Sequence, residues 1–258
     1  MHLNALPEST QRVLSRLKGV GEIRDHLLIG GTAMALQVHH RVSEDLDFVQ
    51  FGSKLDRPLI NRILTHIRGP EKPELVTSLV ARQTFDNDGE DIDDVHQDWM
   101  VDGTKVTFFC PDRKEEIDVL QAAKPLEYGH VKVADLDTIF KLKSMVVAER
   151  WISRDAFDLL HFVERQGRDF LQVDEMIRRK LPHFPYANRM ALFTRPFAVT
   201  DPGFQTASSE GPQTTDELAR EMASMVERYK EIVSARASSM VKGPISQSLH
   251  AQRPSQER

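Results

Sequence analysis

The spacing of apolar residues changes several times along this chain, and each change marks an element. Residues 7–18 put Val13, Leu14 and Leu17 on one face behind Pro7, which predicts a short amphipathic helix. The run Leu27, Leu28, Ile29 predicts a strand over 26–30, followed by a helix over 32–40 and a strand over 45–51. Leu59, Ile60, Ile63, Leu64 and Ile67 recur at helical spacing within 56–68. Residues 74–81 and 104–110 read as strands, and 115–120 as a further strand carrying Asp118. A strong helix is expected over 136–150, started by Asp135 or Asp137. Another follows from about 154, with Ser153 at its N-cap and Asp155 complementing the dipole. Residues 172–181 and 186–193 are further helices, and the turn-rich stretch 200–215 is a linker. An amphipathic helix over 216–236 carries Leu218, Met222, Met225, Val226, Tyr229 and Ile232, with core packing its commonest use and a partner surface the other. The last fifteen residues are polar, lack periodicity and read as a disordered tail.

Strands mixed with helices, then helices alone, indicate an α+β or α/β N-terminal domain followed by a helical C-terminal part. At 258 residues, with 40% hydrophobic and 28% charged residues, the chain is an ordinary globular protein with ample core. Its net charge of −5 excludes a basic nucleic-acid binder, so an RNA-binding surface has to be a local patch. The single cysteine, Cys110, excludes a disulfide framework and a cysteine-rich zinc site, reads as a small buried hydrophobe, and suits a cytoplasmic location. The N-terminus has no signal-peptide pattern, and no apolar run approaches the roughly 20 residues a membrane helix needs, so no membrane is expected. Residues 86–102 hold eight acids and no Lys or Arg, but not in a calcium-loop register; a solvated loop is expected there.

The chemistry concentrates in GGTAMALQVHHRVSEDLD, residues 30–47. Asp45 and Asp47 stand two apart on an expected strand, hence on one face, with Cα atoms roughly 6.5 Å apart at about 3.3 Å per residue. Two like charges at that distance call for a cation between them, and a pair of divalent ions roughly 3.5–4 Å apart, as in phosphoryl and nucleotidyl transfer, fits. Asp45 and Asp47 are therefore the expected Mg²⁺ ligands, with two ions. Gly30, Gly31 and Thr32 let backbone N–H groups and a helix N-terminus approach phosphates, and Thr32 can add its hydroxyl.

His39 and His40 diverge on a helix, so one packs and the other lies near the site mouth; a zinc hydrolase built from His40, Asp45 and Asp47 is a weaker reading. Arg41 meets phosphate or only neutralises the acids, and Ser43 aims the turn into the strand. Lys143 and Arg150 are seven apart, two turns along one helix face, and suit phosphate contact or a solvated basic face. Arg154 and Asp158 form an i,i+4 pair, and Asp158 beside Leu159 and Leu160 suits an interior arginine, Arg150 or Arg154.

GGT…HRxSxDLDF, then a strand GTKVTFF, then K-x6-R-x3-[RK]-D-x2-D-L, together over about 26–163, resemble the AbiEii/AbiGii toxin family of the DNA polymerase β-like nucleotidyltransferase superfamily. The resemblance implies the α+β class, a nucleotidyltransferase-fold mixed sheet with helices: residues 1–125 as a nucleotidyltransferase-fold catalytic core, 126–200 as a helical subdomain carrying the Lys/Arg/Asp motifs, and 201–258 as linker, helix and tail. It implies the toxin of a type IV toxin–antitoxin or phage-defence system with a separately encoded antitoxin. The activity implied is Mg²⁺-dependent transfer of NMP from an NTP to an RNA acceptor, the tRNA 3′ end first. Asp45, Asp47, Lys143 and Asp155 or Asp158 would be catalytic, one of the last two as a base. Gly30, Gly31, Thr32, Arg41, Ser43, Arg150 and Arg154 would bind nucleotide.

One departure stands out. Many nucleotidyltransferases place a third carboxylate on a neighbouring strand, where this chain has Thr107; Asp118 fits the spacing poorly as a substitute, so either two acids suffice or activity is impaired. A non-catalytic nucleotide- or partner-binding module is therefore the alternative, with a phosphohydrolase as a third reading. Residues 165–195 carry seven Lys/Arg against three acids, which is a solvated helix surface or an RNA-facing patch near Phe184 and Tyr186.

Overall fold

In the computed structural model, which describes residues 1–241, the alternation of apolar runs seen in the sequence resolves into these elements. They are α1 (Glu8–Leu17), β1 (His26–Ile29), α2 (Gly30–Val38), β2 (Leu46–Gln50), α3 (Arg57–Ile67), β3 (Glu74–Leu75) and α4 (Leu79–Asn87). Next come β4 (His96–Val101), β5 (Thr104–Phe109), α5 (Lys114–Gln121), β6 (Leu126–Tyr128), β7 (Val131–Val133) and α6 (Leu136–Val146). The C-terminal part is helical: α7 (Ser153–Glu164), α8 (Phe170–Lys180), α9 (Tyr186–Ala191) and α10 (Thr215–Val241). The expected polar tail lies outside the described residues.

The strands form one seven-stranded mixed sheet in the order β3-β4-β5-β2-β1-β7-β6. β1 pairs antiparallel with β2 and parallel with β7, while β2 runs parallel to β5. Side chains alternate across the sheet. Leu28, Phe48, Val106 and Phe108 on one face are buried, and α1 and α3 lie on that side. Ile29, Asp47, Thr107 and Asp98 form a row across the other face, because they are register partners from β1 to β4. That second face is roofed by α5 and α6, which leave a cleft over the row.

Several sequence expectations change in the fold. The 74–81 strand is only two residues long and gives way to α4, a helix with no buried residue. The acid-rich stretch is not all loop: His96–Val101 forms β4, paired with β5 around a turn at Asp102 and Gly103, both at positive φ. Asp-Gly in that conformation suits the twist of a two-residue hairpin. Residues 115–120 are helical, not a strand, and Asp118 sits on α5 with its exposed carboxylate 2.6 Å from Lys114 Nζ. The hairpin β6–β7 was unmarked by periodicity; its strands are three residues each, too short to show one.

Caps explain the helix boundaries. α2 begins at Gly30 and ends where His39 takes the left-handed conformation, φ 47°. That reversal turns His40 and Arg41 into the interior, where both are buried. Asp135 caps α6 by accepting from Asp137 N and Thr138 N. Ser153 is not the cap of α7 but its first residue; Asp201 reaches in from the 200–215 segment to accept from Ser153 N at 2.8 Å and Ser153 Oγ at 2.5 Å. That segment is held to the core: Val42 N donates to Gln205 O, Ala207 N to His40 O, and Phe204 stacks on Phe157. α10 packs on its own chain through Leu218, Met222, Met225, Val226 and Tyr229, although Ile232 is half exposed. The basic stretch over 165–195 is largely paired within the chain: Arg165 with Glu210, Arg168 with Asp137, Arg179 with Glu175, Lys180 with Glu116 and Glu149, and Arg189 with Asp174.

Candidate functional site

The cleft, about 380 Å³, opens over the carboxyl end of β1 and the start of β2. Gly30 forms its floor. With φ +75°, it turns the chain directly from β1 into α2, and a Cβ there would lie 2.8 Å from Asp47 Oδ2. Only a residue without a side chain lets the Asp47 carboxylate lie against the backbone at this turn. Asp47 is half-buried, and loss of solvent with the nearby Asp45 charge pushes its pKa up, against the pull of Lys105 and Lys143. A carboxylate held at that cost is one that a cation would relieve.

Asp45 lies one residue before β2, not within it. Its Oδ2 is 3.8 Å from Lys105 Nζ, and Lys105 lines the cleft. Among the described residues, no group of three or more His, Cys, Asp or Glu is placed to hold a metal unaided. Two carboxylates fit Mg²⁺, which keeps waters and takes its remaining ligands from substrate phosphates.

The other expected nucleotide-binding residues divide into two sets. Thr32 and Ser43 are buried; their hydroxyls lie 2.9 Å apart, and Thr32 Oγ1 also bonds the Asp45 carbonyl. These bonds pin the first turn of α2 to the segment that presents Asp45, so the hydroxyls hold the acids in place. Gly31 packs under the Arg41 guanidinium, which a Cβ would strike. Arg41 grips Asp158 with two bonds, Nε to Oδ1 at 2.6 Å and Nη2 to Oδ2 at 3.0 Å. Its N–H groups are committed to this buried fork and to the Val42 carbonyl, while the Asp45 charge still bears on it without a direct bond.

Asp158 is the centre of a buried knot. It accepts from Arg41, from His40 Nε2 at 2.7 Å and from Lys143 Nζ at 2.7 Å, so its partners are not Arg150 or Arg154. Burial would raise its pKa, but the Arg41 and Lys143 charges, with the His40 hydrogen bond, hold it well below the ordinary carboxylate range. Burial lowers the pKa of His40, which therefore stays neutral and leaves its Nδ1 without a partner. Lys143 bridges Asp158 to Asp155, 2.6 Å from Asp155 Oδ1; burial lowers its pKa, and the two carboxylates more than restore it. Arg150 Nε closes the chain, 2.8 Å from Asp155 Oδ2. Burial is outweighed at Asp155 too, where Lys143 and Arg150 draw its pKa down. Neither Asp155 nor Asp158 is suited to take a proton. Lys143, Arg150 and Asp155 line the cleft opposite Asp47. Arg154 is placed elsewhere, near Asp201.

Four cleft residues were missed from the sequence or valued too low: His96, Asp98, Lys105 and Thr107. Thr107 Oγ1 donates to Asp98 Oδ1 at 2.7 Å, and His96 Nε2 is 3.1 Å from Asp98 Oδ2. Partial burial raises the Asp98 pKa, yet these partners bring it down to about 2. The signal that could have found Asp98 is the Asp102-Gly103 turn, since counting outward from it pairs Asp98 with Thr107. Cys110 is half-buried with its pKa pushed up by burial, the profile of a packed thiol.

A row of acids on a mixed sheet, faced by a lysine and an arginine across a cleft, is a layout for a charged phosphate ligand. The profile of the family described as nucleotidyl transferase AbiEii toxin, type IV TA system, matches residues 12–239, and the chain belongs to that family of nucleotidyltransferase toxins. It is 21% identical over 186 residues to the uncharacterized protein aq_aa25 of Aquifex aeolicus (strain VF5), covering 72% of this chain and 80% of that one. JHP933 from Helicobacter pylori, of known crystal structure, is 15% identical at a TM-score of 0.47, covering 92% of this chain and 98% of that one. Among the described residues, no helix is long and apolar enough to cross a membrane.

Proposed function

We propose that this chain is an Mg²⁺-dependent nucleotidyltransferase, the toxin of a type IV toxin–antitoxin system, and that it transfers NMP from an NTP to an RNA acceptor, the tRNA 3′ end first. The observation that carries the reading is Asp47: a half-buried carboxylate with a raised pKa, set against Gly30 and facing Lys143 and Arg150. Asp45 and Asp47 would hold Mg²⁺, which supplies Lewis-acid stabilisation at the α-phosphate and the leaving pyrophosphate. The chain's own residues do the positioning. Gly30 admits the triphosphate close to the backbone at the start of α2. Arg150, with only Nε committed to Asp155 and its side chain 59% exposed, has N–H groups left for phosphate oxygens. Lys143, fixed by Asp155 and Asp158, presents its charge from the roof without moving during the reaction. Asp155 and Asp158 orient these cations.

The family implies an antitoxin partner and a nucleotide substrate. The binding-module alternative drew its support from Thr107. Thr107 instead holds Asp98, so an acid is present one strand further along the row.

The test is to incubate the purified chain with Mg²⁺, each of the four α-labelled NTPs and total cellular RNA, beside the double variant Asp45→Asn, Asp47→Asn. Label is expected in RNA with the wild type only, and a tRNA-sized band would establish the acceptor class. Label in protein instead of RNA would move the acceptor to a polypeptide. NTP binding with no labelled product would favour the binding module.

A further inference from the structure

The row across the sheet has a second end. Ile29, Asp47, Thr107 and Asp98 are consecutive register partners, so with strands about 4.8 Å apart the Cα atoms of Asp47 and Asp98 are separated by roughly 9.6 Å. Asp98 is fixed on three sides: Thr107 Oγ1 and His96 Nε2 hold its carboxylate, and its N–H donates to Thr77 Oγ1 at 3.0 Å. An ionised carboxylate only accepts, so His96 Nε2 carries the proton and Nδ1 is the acceptor nitrogen. The His96 side chain is 39% exposed, enough to meet a substrate.

His96 and Asp98 also stand at a boundary. They line the cleft over Asp47, and they line a second hollow of about 390 Å³ between α4 and β4, formed with Thr77, Ala81, Phe85 and Ile92. The first cavity holds the acids and cations suited to an NTP. The second mixes the apolar Ala81, half-buried Phe85 and Ile92 with polar groups that include Ser78, and α4 beside it buries no residue of its own. Two substrates must meet in nucleotidyl transfer, and these two cavities meet at His96.

We propose that His96 is the general base for the acceptor hydroxyl, held in the required tautomer by Asp98, with the acceptor nucleotide entering through the α4–β4 hollow. This rests on the nucleotidyltransferase reading above. The acceptor O–H proton passes to His96 Nδ1 as its oxygen bonds the α-phosphorus. The bond from that phosphorus to the bridging oxygen breaks, and pyrophosphate leaves with the electron pair. The imidazolium formed is stabilised by Asp98 and returns its proton to water. Asp98 is a positioning residue, acting through His96, and Thr107 positions Asp98.

The experiment measures α-labelled NTP transfer to total cellular RNA by the full chain and by His96→Gln, Asp98→Asn and Asp47→Asn, with Mg²⁺–NTP affinity and thermal melting recorded for each. His96→Gln is expected to lower kcat by about 10²–10⁴-fold with the NTP KM and the melting temperature unchanged. Asp98→Asn should fall by a smaller factor in kcat, again at unchanged KM. A kcat for His96→Gln within threefold of wild type would overturn the proposal, as would a loss matched by an equal loss of NTP affinity or of folded protein. Asp47→Asn separates the two levels. If wild type transfers and Asp47→Asn does not, a fully active His96→Gln sinks only the base assignment. If wild type and Asp47→Asn transfer equally, or neither labels RNA or protein, the nucleotidyltransferase reading fails and this inference falls with it; label in protein alone would overturn the nucleotide route through the α4–β4 hollow and leave that reading standing.

Discussion

The knot around Asp158 and the row at Asp47 are built from the same residue types and serve opposite ends. Asp158 is fully buried and meets three basic side chains within 2.7 Å. Asp47 is half-buried, lies against a glycine, and is only partly offset, by Lys105, Lys143 and the Thr107 hydroxyl, without a close ion pair. The first arrangement lowers a carboxylate pKa and the second raises one. Charge that is satisfied within the chain holds α2, α6 and α7 together. Charge that is left unsatisfied is available to a ligand. Motif residues that look equivalent in the sequence thus separate into supports and contacts.

Emptying the knot should do the most damage. Asp158→Ala leaves Arg41 and Lys143 buried without their shared partner and should cost about 3–5 kcal/mol in urea unfolding. Because the folded pKa of Asp158 lies below its unfolded value, its contribution is present above about pH 4 and disappears as pH falls through the folded value. The acid-unfolding limb should therefore flatten in this variant. A loss below 1 kcal/mol would mean that the knot is not structural.

Gly30→Ala probes the seam between floor and acid. The left-handed backbone alone costs about 1–2 kcal/mol, and the new Cβ would press on Asp47 Oδ2. Both melting temperature and Mg²⁺–NTP affinity should fall; unaltered affinity would detach Gly30 from the site.

Asp47→Asn sharpens the contrast in the other direction. A raised folded pKa means that the ionised acid opposes folding at neutral pH. The metal-free variant should melt at or above the wild-type temperature. Added Mg²⁺ and NTP should raise the wild-type melting temperature and leave the variant's unchanged. A lower melting temperature in the variant would show that Asp47 is a structural acid.

The smallest effect concerns neighbours in sequence. Arg150→Ala should weaken NTP binding several-fold, while Arg154→Ala, beside Asp201 and away from the cleft lining, should stay within twofold in a fluorescence titration. Equal losses would place Arg154 at the site after all.

Much of this was legible in the sequence. The β1–α2–β2 unit shows because apolar runs flank Gly30 and the acids, and that order implies a strand, a turn and a strand. What the motif could not show was direction. Arg41 read as a phosphate contact because nothing local reveals that His39 reverses the chain and drives it inward, whereas Ser43, expected to aim the turn, does bond Thr32 beside the Asp45 carbonyl. Asp158 read as the partner of Arg150 or Arg154 because helical spacing counts only neighbours on one helix, whereas Arg41 and His40 arrive from another segment. Asp98 hid in a run of acids whose exposed members, such as Asp86 and Asp88, set the expectation for all. Pairing across the Asp102-Gly103 turn, not composition, distinguishes it from them. The short hairpin β6–β7 and the two-residue β3 carry too few positions for any period.

One pair of variants tests the division between supports and contacts most directly. Transfer of α-labelled NTP to RNA and thermal melting are measured together for Asp47→Asn and Asp158→Asn. The account predicts a crossing: Asp47→Asn loses transfer while melting at or above the wild-type temperature, and Asp158→Asn melts many degrees lower. Transfer retained by Asp47→Asn, or equal destabilisation of the two variants, would contradict it.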